Sequence, residues 1–69
     1  MTTNEALDNY LSHLRRPELI AKSRDIRETL GITRAVLSNW RRGRTPLRQV
    51  YFDKIIETVG VDLNSLVGK

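Results

Sequence analysis

The chain has 69 residues, of which 39% are apolar, and its twelve basic and eight acidic side chains leave a net charge of +4 with no cysteine at all. That is enough for one domain with one small core, and the missing thiols exclude both a disulfide framework and a thiolate metal site. Its apolar runs are too short for a membrane span or a signal-peptide core, so a single cytoplasmic, non-exported domain over residues 1–69 is expected.

Along the chain the apolar residues follow helical spacing, and nothing alternates with a period of two. Leu7, Tyr10, Leu11 and Leu14 fall on one helical face, which predicts a first amphipathic helix from about Asn4 to Arg15. Pro17 either ends that helix or opens a further turn. Followed by Glu18, it suits the start of a short helical segment, because proline lacks an amide donor and an acid favours the positive helix end.

A second helix is expected around Ser23 to Leu30, with Ser23 as its cap, Ile26 and Leu30 inward, and Gly31 closing it. Ile32 drops into the core, and Thr33 is placed to cap a third helix from Arg34 to Arg42 that Gly43 ends. Pro46 cannot extend a helix but can begin one, so a fourth should run from Pro46 or Leu47 to Val59. Leu47, Val50, Tyr51, Ile55 and Val59 are expected on its buried face, widened by Phe52 and Ile56. Gly60 ends it. Asp62 can cap a last short helix carrying Leu63, Leu66 and Val67, with Gly68 as a final terminator.

Charge is unevenly distributed along these elements. Residues 22–48 hold eight bases (Lys22, Arg24, Arg27, Arg34, Arg41, Arg42, Arg44 and Arg48) against Asp25 and Glu28, a local charge of +6 where the rest of the chain carries −2. Arginine outnumbers lysine nine to three, and the guanidinium fork suits phosphates and guanine edges. In the third helix, Val36, Leu37 and Trp40 gather on one side at about 100° per residue. Arg34, Ala35, Ser38, Asn39 and Arg42 then face outward. That set matches base edges in a major groove: arginine for guanine, asparagine for adenine, serine for either, alanine for a thymine methyl. Arg41, at the margin, is expected to meet a phosphate.

Two segments carry a family likeness. The first is Gly31 between Leu30 and Ile32, with inward Leu37 and Trp40 six and nine residues after the glycine, inside Ser38-Asn39-Trp40-Arg41-Arg42-Gly43. The second is Val59-Gly60-Val61-Asp62-Leu63-Asn64-Ser65-Leu66. Together they resemble the phage repressor and Cro family of helix-turn-helix proteins, over roughly Ser23 to Val67. The resemblance implies an all-α, five-helix, lambda-repressor-like domain, with a central motif at about residues 23–42 and C-terminal helices at about 46–67. Two departures stand out. Where that family has alanine in the middle of the second helix, this chain has Arg27, so either the two helices cross more widely or Arg27 reaches phosphate. Lys22 and Ser23 replace the family's usual threonine and glutamine.

The resemblance implies a transcriptional repressor that binds double-stranded DNA. Arg34, Ala35, Ser38 and Asn39 would read bases, while Lys22, Ser23, Arg24, Arg42, Arg44, Thr45 and Arg48 would hold phosphates and fix register. One recognition helix reads few base pairs, so a homodimer on a palindromic operator is expected. Leu63, Leu66 and Val67 either form its interface or complete the core. A chain this short fits a Cro-type regulator of a phage or mobile element. The alternative is an antitoxin-like module that masks a partner protein and binds DNA secondarily.

Enzymatic readings fail on inventory, because His13 stands as the only histidine beside scattered acids and no cysteine. No metal, cofactor or small-molecule ligand is expected.

Overall fold

The first helix begins with a reciprocal cap. The Thr2 hydroxyl accepts from the Glu5 amide at 3.1 Å, and the Glu5 carboxylate accepts from the Thr2 amide at 3.1 Å, so two otherwise orphaned donors are satisfied together. In the computed structural model, which describes residues 1–67, this opens α1 (Thr3–Ser12), followed by α2 (Arg16–Leu30), α3 (Arg34–Arg42), α4 (Gln49–Val59) and α5 (Asn64–Val67). The described residues form an all-α, five-helix domain with no strand. Gly68, expected to end a helix, lies outside the described residues.

α1 stops at Ser12 and does not reach Arg15. Its last turn tightens, with the His13 amide donating to the Tyr10 carbonyl and the Leu14 amide to that of Leu11, and Arg15 is already extended as the cap of the next helix.

α2 is one continuous helix of 15 residues, where a short segment and a separate helix from Ser23 were expected. Pro17 sits in its first turn, where the absent N–H breaks no hydrogen bond. Nothing from Leu19 to Arg24 interrupts a helix once begun, because that stretch contains neither glycine nor proline. Ser23 is therefore an interior residue and caps nothing. Gly31, at φ 67°, ends α2 in the left-handed region that a Cβ disfavours. The Ile32 amide returns to the Arg27 carbonyl at 3.0 Å, and the turn passes through Ile32 to Thr33, whose hydroxyl accepts from the Val36 amide at 3.3 Å to cap α3.

α4 starts at Gln49, later than Pro46 or Leu47, for a reason remote in sequence. The Thr3 hydroxyl donates to the Leu47 carbonyl at 2.6 Å, and Asn4 Oδ1 accepts from the Leu47 amide at 3.1 Å. Both backbone groups of Leu47 are thereby held by α1, leaving the helix to begin after it. Within α4, Phe52, Ile55 and Val59 face inward. Val50 is 59% exposed and Tyr51 40%, so neither belongs to the buried face on which they were expected. Tyr51 lays its ring beside Trp40 instead, with centroids 5.6 Å apart.

The core joins Ala6, Leu7 and Leu11 of α1 to Ile26, Leu37, Trp40, Leu47, Phe52, Ile55 and Val59. Leu63 completes it and is almost wholly buried. α1 rests on α3 and α5, and α2 rests chiefly on α4. Burial, followed by the charge of Glu18 on the neighbouring helix, pushes the Tyr10 phenol above its ordinary pKa. No helix among the described residues is long and apolar enough to cross a membrane.

Candidate nucleic-acid interface

Leu37 and Trp40 fasten α3 to the core, and their burial fixes which side faces out. Arg34, Ala35 and Arg42 are exposed, with Ser38 and Asn39 half-buried at the flanks, as the helical spacing predicts. Val36, expected inward, is half-buried. Arg34, Arg42, Arg44 and Arg48 make no ion pair with any other described residue. Their charge is available to a polyanion.

α2 and α3 touch only lightly, although a three-residue turn joins them. Between them and the edge of α1 lies an open groove of about 640 Å³. It brings together Ser23, Arg34, Ser38 and Arg42 from the predicted contact set, and adds Arg27 and Arg41. Leu19, Ile20 and Leu37 form its apolar floor. Lys22, Arg24, Ala35, Asn39, Arg44, Thr45 and Arg48 do not line it. Lys22 is half-buried along α2, Arg24 is exposed on the same helix, and Ala35 and Asn39 belong to the outer face of α3.

Two expectations about phosphate contact need correction. Ser23 lies inside α2, so its amide serves the helix ladder and is no free donor; the open amides of α2 are those of its first turn, near Glu18. Arg41, expected to meet a phosphate, turns the other way. Its Nε donates to Asp8 at 2.8 Å and its Nη2 to the Ser12 hydroxyl at 3.3 Å. Arg41 therefore ties α3 to α1, and its charge is already matched.

The arginine-bearing loop after α3 is held by a residue that local pattern does not reveal. Gly43, at φ 73°, turns the chain and lets the Arg44 amide reach back to the Asn39 carbonyl at 3.0 Å. Asn4 then bonds the backbone at three points. Its Nδ2 donates to the carbonyls of Trp40 and Thr45, each at 2.8 Å, and its Oδ1 accepts from Leu47. One amide side chain thus fixes the end of α3, the middle of the loop and the approach to α4. Arg44, Thr45 and Arg48 project from this fastened segment and are exposed.

Comparison with protein-family models, curated proteins and solved structures returns no match. Among the described residues, no group of three or more histidine, aspartate or glutamate side chains is placed to hold a metal ion.

Proposed function

We propose that the chain is a sequence-specific regulator that binds double-stranded DNA, a compact Cro-like repressor. One observation carries this reading. The outer face of α3 presents Arg34, Ala35, Ser38 and Asn39 on a helix anchored from behind by Leu37 and Trp40, and beside it Arg42, Arg44 and Arg48 have no ion-pair partner among the described residues. A helix so mounted can enter a major groove while the flanking cations meet phosphates. Arg34 and Asn39 supply the bidentate base contacts, Ser38 a further hydrogen bond, and Ala35 an apolar touch. Lys22 and Arg24 extend the positive field along α2.

A homodimer on a palindromic operator completes the reading, since a single α3 reaches few bases. Leu63 has no part in the interface, because it is 1% exposed and belongs to the core. Leu66 and Val67 remain half-buried at the surface, next to exposed Val61. Such a repressor acts in the cytoplasm by occupying DNA and carries out no catalysis.

The test is selection of bound duplexes from a random pool, with sedimentation of the protein with and without the recovered sequence. A palindrome with half-sites one helical turn apart and a two-to-one complex are the expected result. Absence of any enriched sequence would refute base reading and favour a protein partner.

A further inference from the structure

We propose that the groove between α2 and α3 seats a stretch of nucleic-acid backbone, with Arg27 as a phosphate-binding residue in it. This rests on the nucleic-acid reading above and decides between the two alternatives that the sequence left for Arg27. Arg27 is half-buried in the middle of α2 and lines the groove. Its Nε donates to the Ser23 carbonyl at 3.3 Å. That bond orients the guanidinium, and its Nη donors have no partner among the described residues. A guanidinium carries five N–H donors, and a partly desolvated one is stabilised by an acceptor of opposite charge.

The surroundings point to the same ligand. Arg34 and Arg42 line the groove from α3, so it holds three cations with no ion-pair partner among the described residues. Asp8 is the acid at its edge, and Arg41 already holds it at 2.8 Å. Like charges gathered in this way attract an incoming polyanion. Ser23 lines the same space and offers its hydroxyl as a further donor to phosphate oxygens. Ile20, half exposed on the floor, offers an apolar surface for sugar carbons. A volume of about 640 Å³ exceeds what a lone ion needs and suits a short run of sugar and phosphate. In this arrangement α3 reads bases with its outer face while Arg27 and Arg42 grip the strand that runs between the helices.

The experiment compares wild type, Arg27→Ala and Arg27→Lys for binding to a fluorescent random-sequence duplex and to a selected one, across a salt series, with thermal melts of each protein. Arg27→Ala should weaken both duplexes alike, by about 3- to 10-fold, and lower the slope of log K against log salt by about 0.9. Arg27→Lys should restore most of that slope, and all three proteins should melt together. An unchanged slope in a folded Arg27→Ala protein overturns the proposal while leaving duplex binding intact. A loss confined to the selected sequence also overturns it, because it makes Arg27 a base reader. If wild type binds neither duplex, the nucleic-acid reading itself fails.

Discussion

The two flanks of α3 are built from opposite chemistry. Where its C-terminal end meets α1, polar groups are matched: Asn4 satisfies Trp40, Thr45 and Leu47, Thr3 adds a bond to Leu47, and Arg41 is paired with Asp8. Along α2 the groove is open, and Arg27, Arg34 and Arg42 line it without acidic partners among the described residues. The first flank orders the chain and the second leaves charge unspent. A small domain that must hold a cationic face still against water benefits from such a division, since rigidity on one side lowers the cost of ordering the other on binding.

The comparison breaks most completely if its common support is removed. Trp40→Ala deletes a side chain 4% exposed at the centre of α3's inner face, and should cost about 3–5 kcal/mol, enough to unfold a domain of this size. Loss of helical signal and of the thermal transition at room temperature is the expected readout, and a well-folded variant would contradict the packing described. Asn4→Ala comes next. It abandons three hydrogen bonds to backbone and should destabilise by about 2–3 kcal/mol, with amide exchange accelerated most at Leu47; a uniform acceleration along the chain would deny Asn4 its local role.

Smaller effects sharpen the contrast between faces. Asn39→Ala should cost about 1–3 kcal/mol on a selected duplex and little on random DNA, whereas Arg44→Ala should weaken both and reduce the salt slope by roughly one. Equal behaviour of the two variants would dissolve the distinction between reading and gripping. The mildest effect concerns the start of α1. The Thr2 amide, then the Thr2 hydroxyl, hold the Glu5 carboxyl below its ordinary pKa, so the folded state favours the ionised form. The stabilisation is present above the ordinary carboxylate pKa and disappears as pH falls through the lowered one. A slight acid loss of melting temperature in wild type, absent from Glu5→Ala, is the expected pattern.

What the sequence made legible follows the range of the interactions involved. α3 could be placed residue by residue because Thr33, the Leu37–Trp40 pair and Gly43 act within a few positions of one another. The capping box at Thr2 and Glu5 was equally local: the Thr-x-x-Glu spacing is its signature, and it would have placed the start of α1 correctly. The start of α4 was not local, because it depends on Thr3 and Asn4 reaching across more than forty residues to Leu47. Arg41 likewise looks no different in sequence from Arg42, and only the approach of α1 assigns it to Asp8. Val50 and Tyr51 were misplaced because the apolar stripe of α4 is wider than its buried face, and only packing in the fold selects Phe52, Ile55 and Val59 from it. The groove was not legible either: Arg27 marked a departure in the second helix, but Leu19 and Ile20 line the open space beside it only because α2 is continuous from Arg16.

Trp40 is the chain's single tryptophan, and it sits on the inner side of the helix proposed to touch DNA, with a tyrosine ring 5.6 Å away. Its backbone carbonyl is also one of the groups that Asn4 fastens. Any shift of α3 against α1 or α4 must change the surroundings of that indole. The protein therefore carries an intrinsic optical reporter, in which emission wavelength follows burial of the ring and energy transfer from Tyr51 follows the seating of α4, so that docking of α3 can be watched without a label.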